Sequence, residues 1–175
     1  MLFNQKTLKS TFLIAVVCLL FCVQLVFVVA NANQGSDLYS APNLVITDND
    51  VVEMRAAINQ SGLFQDKYQA LKDTIEQQMM QPIAVPVPKD GGGGYTHERH
   101  KKNYQLMYNA GVVYQISQQA KYADFVRDML LEYVELYPTI GLHPKRKVKS
   151  QNPGKLFWQS LNEAVWLVYT IQAYD

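Results

Sequence analysis

Two stretches of the chain concentrate side chains that could do chemistry. The first runs from Gly91 through Gly94 into Tyr95-Thr96-His97-Glu98-Arg99-His100. His97 and His100 are three apart, which on a helix puts them on one face. With Glu98 beside them the pair suggests a metal site. His-x-x-His lacks further ligands, however, and no acid-rich segment elsewhere completes a coordination set. Capping the helix, or hydrogen bonding to another loop, is the plainer role for both imidazoles. Neither a metal nor another cofactor is expected. The glycine run matches neither nucleotide fingerprint: a proline-rich segment precedes it, and no Gly-Lys-Ser/Thr follows. It reads as a flexible or tightly turned connector.

The second stretch is basic. Lys145, Arg146, Lys147 and Lys149 stand together with no acid between Gly141 and Ser150. Such a loop is either simply solvated or attracts carboxylate or sulfate groups on a ligand. Arg146 could pair with a carboxylate through two parallel hydrogen bonds. Tyr95, Trp158 and Trp166 offer flat apolar surfaces of the kind sugar rings lie on, although Trp166, at helical spacing, is expected in the core. Gln159 and Asn162 are three apart, and each carries donors and acceptors suited to a sugar hydroxyl or carboxylate. The candidate substrate contacts are therefore Gln159, Arg146, Lys147, Tyr95 and Asn162.

These stretches need elements to position them. Thr47 or Asp48 can cap a first helix with Val51, Val52, Met54 and Ile58 on its apolar side, broken at Ser61-Gly62. Phe64, Tyr68, Leu71, Ile75 and Met79 recur at helical spacing between Leu63 and Met80. Pro82, Pro86 and Pro88 exclude helix from the next segment. Helix resumes near Thr96 with a stripe of Tyr104, Met107, Tyr108, Gly111, Val112 and Tyr114. A further helix spans Lys121 to Tyr137, with Tyr122, Phe125, Val126, Met129, Tyr133 and Leu136 inward, ended by Pro138 and Gly141. A last helix is expected from Leu156, carrying Phe157, Trp158, Leu161, Val165, Trp166, Val168 and Tyr169, and its pattern is still running at Asp175. No alternating strand pattern occurs. The predicted class is all-α, built of antiparallel helical hairpins. If successive helices alternate in direction, the two long loops lie at the same end of the bundle, and long loops that converge are a site hypothesis.

Composition narrows the alternatives. Of 175 residues, 16 are basic and 15 acidic, a net charge of +1, which argues against a nucleic-acid binder. A hydrophobic fraction of 49% is too high for a disordered chain. Lys6 and Lys9 precede an apolar run from Phe12 to Ala30, and Ala30-Asn31-Ala32 supplies a small-x-small cleavage pattern. Residues 1–32 thus read as a secretory signal peptide. The run is also long enough to serve as an uncleaved anchor. The expected location is periplasmic or secreted, or held at the inner membrane if the signal is retained. Both cysteines, Cys18 and Cys22, fall within this segment, so residues 33–175 must be held by core packing rather than disulfides.

Several blocks carry a resemblance. Val85 through His100, Asn103-Tyr104, Tyr137-Pro138, Gly141-Leu142-His143-Pro144 and Gly154 through Trp166 are similar to exported alginate lyases of the heparinase II/III-like superfamily, in particular oligoalginate lyases of polysaccharide lyase family seventeen. The resemblance covers about residues 40–175. It implies a partial (α/α) toroid, residues 33–175 being its N-terminal part. It also implies β-elimination on a uronic-acid polymer: the carboxylate is neutralised, a base removes the C5 proton, and an acid protonates the departing O4. In the family an Asn-His pair and Tyr or His residues perform these steps. No stretch of residues 1–175 matches those motifs, so no catalytic residue is assigned here and the segment alone is expected to be inactive. The implied partner is an acidic, alginate-like polysaccharide or oligosaccharide, not nucleic acid, and a homodimer of the full-length protein is left open. Two alternatives stand beside this reading: an exported helical module that binds acidic sugars without catalysis, and a lyase for another uronate glycan such as a heparin-like chain.

Overall fold

The computed structural model describes residues 41–146 and 152–175, and the expected signal segment and Lys147 lie outside them. The described residues hold five helices and no strand: α1 (Asp48–Ile58), α2 (Leu63–Met79), α3 (Tyr95–Ser117), α4 (Ala120–Thr139) and α5 (Ser160–Tyr174). The all-α expectation is met.

Local chemistry sets most of the boundaries. Thr47 caps α1 in a reciprocal box: its hydroxyl accepts from the Asp50 amide, and the Asp50 carboxylate accepts from the Thr47 amide at 2.8 Å. Gly62, at φ 146°, breaks the chain between α1 and α2 in a conformation that favours glycine. At the far end of α1, the Arg55 guanidinium donates to the Gln115 and Ile116 carbonyls at the C-terminus of α3. A cation there answers both the unpaired carbonyls and the negative end of the helix dipole.

Contacts fix the helix directions. Tyr68 on α2 sits beside Ser117 on α3, whereas Gln78 and Lys102 line one cavity, so these helices are antiparallel. Tyr133 on α4 meets His100 and Asn103 on α3, while Val126 and Tyr114 share a groove, which makes α4 antiparallel to α3. Between α3 and α5 the contacts advance together: His97 with Phe157, Tyr104 with Tyr169, Gly111 with Ala173. These two helices therefore run parallel, and the long loops that precede them meet at one end.

The core lies around α3, which packs against each of the other four helices. Its buried residues accordingly go beyond the expected stripe, adding Leu106, Ala110, Val113 and Ile116. A Cβ on Gly111 would come within 3.4 Å of the Ala173 carbonyl oxygen, so the missing side chain lets α5 approach. On α4 the inward face is as expected, with Tyr122, Phe125, Val126, Met129 and Tyr133 buried.

Four expectations are corrected. Pro138 does not end α4 but sits within its last turn, and the helix continues to Thr139. The last helix begins at Ser160 rather than Leu156: Leu156 and Phe157 are 1% and 0% exposed and enter the core from an irregular segment. Burying side chains of this size contributes about 1.5–3 kcal/mol each, enough to outweigh one further helical turn. Leu161, Val165 and Val168 do not face inward among the described residues, being 71%, 38% and 53% exposed. The packed side of α5 is Trp166, Tyr169 and Ala173, a narrower set than its apolar composition suggested. Val52 and Phe64 are likewise exposed, because α1 and α2 each present a single face to α3. Trp166 joins the core as expected, its ring parallel to Tyr137 with centroids 6.0 Å apart.

Candidate functional site

The first loop is tied to the start of α3 by Thr96. Its hydroxyl accepts from the Lys89 and Asp90 amides, while its amide and hydroxyl donate to the Asp90 carboxylate at 3.0 and 3.1 Å. The Thr96 amide, foremost among these contacts, holds the Asp90 carboxyl below the ordinary carboxylate range. The glycine run is a tight turn, closed by the Gly94 amide on the Gly91 carbonyl at 3.0 Å. Two of its members are required by geometry. Gly93 adopts φ 81°, and a Cβ on Gly94 would fall 2.3 Å from that of Asp90. Glu98 completes the turn by accepting from the Gly93 amide at 3.2 Å.

The second loop is held by Glu163 of α5. Its carboxylate accepts from the Lys155 and Leu156 amides at 2.7 and 3.2 Å and from the Tyr137 hydroxyl at 2.8 Å. Lys155 in turn donates to the Tyr137 carbonyl at 2.9 Å and lies over the Tyr137 ring. Gly154 is compelled here, because a Cβ would stand 2.4 Å from the Glu163 carboxylate and 2.3 Å from the Phe157 carbonyl oxygen. The His143 amide donates to the Gly154 carbonyl at 2.8 Å and closes the loop on itself.

Where the loops meet, all three histidines are buried. His97 and His100 both present edge-to-face geometry to Phe157, with centroids 5.1 and 5.9 Å away. The His100 Nδ1 is 3.0 Å from the Tyr133 hydroxyl, which also accepts from the Asn103 amide nitrogen at 3.1 Å. The same nitrogen donates to the Ala84 carbonyl at 2.9 Å, so one buried network joins the first loop, α3 and α4. His143 Nδ1 accepts from the Lys145 amide at 3.1 Å. Burial is the main cause that lowers all three imidazoles, His100 to about 4, and each is lowered further by a neighbouring histidine or lysine. They are neutral, structural groups near pH 7. The expected capping or hydrogen-bonding role of His97 and His100 becomes, for His97, mainly packing on Phe157. No group of three or more His, Cys, Asp or Glu among the described residues is arranged to hold a metal ion.

Of the predicted substrate contacts, Lys147 lies outside the described residues. Tyr95 opens α3 and is 64% exposed. Gln159 is the exposed residue before α5, its carbonyl accepting from the Asn162 amide at 3.2 Å while its side chain makes no cap bond. Asn162 is half-buried one turn on, and Trp158 is also half-buried. Arg146 is exposed, its amide donating to the His143 carbonyl at 3.0 Å. Gln159 and Asn162 thus come together, but no hydrogen bond among the described residues joins Tyr95 or Arg146 to either of them. Tyr95, Arg146 and Gln159 thus present exposed phenol, guanidinium and carboxamide groups.

Two features escaped the sequence reading. Glu163, His143 and Tyr133 organise the loops; the first two lie in blocks that carry the resemblance and Tyr133 on an inward helix face, yet nothing local marked their hydrogen-bonding roles. There is also an open cavity of about 410 Å³ on the flank of α2 and α3, lined by Gln77, Gln78, Gln81, Pro82, Ala84, Arg99 and Lys102.

No family model matches the chain. It is 45% identical, over 172 residues, to an exo-oligoalginate lyase of Saccharophagus degradans, a match that covers 98% of this chain and 22% of that protein. It is 52% identical over 102 residues to an alginate lyase of Stenotrophomonas maltophilia, covering 58% of this chain and 14% of the relative. The chain therefore spans about a fifth of the length of the first of these curated relatives.

Proposed function

We propose that the chain belongs to a polysaccharide lyase that cleaves alginate or oligoalginate by β-elimination at uronic acid residues. The observation that carries this is the 45% identity to an exo-oligoalginate lyase across 98% of the chain. At that level, sustained over nearly every helix and both loops, the packing and the site surface are expected to be shared. The geometry is compatible: Tyr95, Arg146 and Gln159 are exposed, and their groups are able to meet the hydroxyls and carboxylate of a uronate.

In this reading the five helices form one part of an (α/α) toroid of the family-seventeen type within the heparinase II/III-like superfamily, and the segment supplies one wall of the substrate groove. Gln159, Arg146, Lys147, Tyr95 and Asn162 contact substrate, and the proton transfers are made by residues of a longer protein. Export of that protein to the periplasm or beyond, by the signal in residues 1–32, fits a polymeric substrate that cannot cross a membrane unaided.

The test is direct. The protein encoded by the whole reading frame is incubated with alginate, polymannuronate and heparan fragments, and the ultraviolet absorbance of the unsaturated uronate product is followed. Absorbance rising on alginate or polymannuronate is expected. A rise on heparan alone would replace the substrate, and no rise on any of them would remove the lyase reading.

A further inference from the structure

We infer that the cavity between the end of α2 and the first turns of α3 is a second acidic-sugar site, distinct from the two-loop surface, in which Arg99 and Lys102 take a carboxylate and Gln77, Gln78 and Gln81 take the hydroxyls around it. The inference rests on the lyase reading only for the identity of the sugar, a uronate. At about 410 Å³ the cavity falls within the range of small-ligand sites, roughly 300–1,000 Å³.

Its charge is one-sided. No carboxylate lines it. The nearest acids on the same helices are engaged elsewhere: Glu98 with Lys101 at 3.0 Å, and Glu76 with Lys121 and the Tyr122 hydroxyl, both at 2.7 Å. Neither Arg99 nor Lys102 has an acidic partner within salt-bridge distance among the described residues. Arg99 lines the cavity, and its guanidinium is a group built for planar, two-pronged carboxylate pairing; its Nε is buried with no hydrogen-bond partner.

The carboxamides decide between ligands. Sulfate or phosphate presents chiefly acceptors and would use only the NH2 side of the three carboxamides. A uronate presents an anionic carboxylate together with hydroxyls that both donate and accept, which is what a guanidinium, an ammonium and three carboxamides can satisfy together. Pro82 and Ala84 add an apolar patch for the C–H side of a ring.

The site is also separate in space from the loop surface. Arg99 and Lys102 each follow a buried histidine by two positions, about 200° further round a helix of 3.6 residues per turn. His97 and His100 face Phe157, so the two cations point to the opposite flank.

The intact chain is titrated calorimetrically with trimannuronate, triguluronate, neutral cellotriose and inorganic sulfate. Binding of an acidic trisaccharide is expected, weakened about tenfold or more by Lys102→Gln and by Arg99→Gln, with Arg127→Gln, an exposed cation remote from the cavity, retaining it and cellotriose giving no heat. Lys102 is exposed and unpaired, so its variant folds as the parent does and serves where Arg99→Gln unfolds. Unchanged binding in both cavity variants would overturn the inference, as would an equal weakening in Arg127→Gln. Sulfate binding as tightly as the trisaccharides, with the same variant sensitivity, would reduce the cavity to a simple anion site and also overturn it. Turnover is measured separately: variant-sensitive binding without any lyase activity in the longer protein leaves this site standing and removes the lyase reading, whereas turnover with variant-insensitive binding does the reverse.

Discussion

The Tyr133 hydroxyl stands 3.0 Å from His100 Nδ1 in the interior, joining the middle of α4 to the first turns of α3. Both partners are almost wholly shielded from water, His100 at 0% and Tyr133 at 3% exposed. Their chemistry is therefore that of neutral groups: burial raises the Tyr133 phenol far above its ordinary value and lowers the His100 imidazole to about 4.

Acid sensitivity follows from this pair. The unfolded chain protonates His100 near 6.5, whereas the folded chain resists protonation down to about 4. Between those values the unfolded state binds more protons, so stability is full above 6.5 and declines as pH falls through the window. The size for His100 is about 3 kcal/mol at one pKa unit per 1.36 kcal/mol. His97 and His143, lowered in the same direction, add to it. Thermal melting across this range should show Tm dropping before the carboxylates begin to protonate, and His100→Gln should flatten the drop. A Tm independent of pH between 6.5 and 5 would contradict the burial of these imidazoles.

Tyr133→Phe should destabilise by about 1–3 kcal/mol, because the buried His100 and Asn103 nitrogens lose the oxygen between them. Phenylalanine keeps the ring contact with Trp166, so the loss reports the hydroxyl rather than packing. Denaturant unfolding measures it as a shift in midpoint at constant slope.

Gly154→Ala should be costly even though the change is one methyl group. The Cβ would enter the space between the Phe157 carbonyl and the Glu163 carboxylate, neither of which can move without releasing the Lys155 and Leu156 amides. A loss of about 1–3 kcal/mol is expected, as for other overpacked sites. Hydrogen exchange at the Leu156 amide should accelerate more than exchange at Met107 in α3, showing that the damage is local to the second loop.

Gln159→Ala should separate binding from stability. Its side chain makes no cap hydrogen bond and is exposed, so Tm should shift by no more than about 0.5 kcal/mol would produce. If it contacts the substrate carboxylate, a charge-assisted bond of about 1.5–3 kcal/mol is lost and kcat/KM of the full-length lyase falls roughly ten- to hundredfold. An unchanged kcat/KM would remove Gln159 from the site.

The elements differ in how far they were written locally. The Thr47 cap, the Gly62 break, the prolines after Gln81 and the inward face of α4 are readable because each depends on neighbours within a turn or on a single packed face. The convergence of the two loops was readable as well, since it follows once successive packed helices alternate in direction. The burial of α3 was not, because periodicity reports one face and α3 is surrounded by four helices. The start of α5 was not, because helical propensity at Leu156 and Phe157 is overruled by their burial, Phe157 against His97 and His100.

By itself the sequence determined an all-helical chain with two long loops at one end, rich in groups suited to acidic sugars. Only the tertiary structure decided that the three histidines lie together as neutral packing, that Glu163 rather than a loop residue holds the second loop, and that Arg99 and Lys102 share a cavity with Gln77, Gln78 and Gln81 at and just beyond the end of α2. The physical reason is range. Caps, breakers and periodicity act over a few residues, whereas burial, pKa and cavity shape depend on which distant side chains the packing brings within a few ångströms.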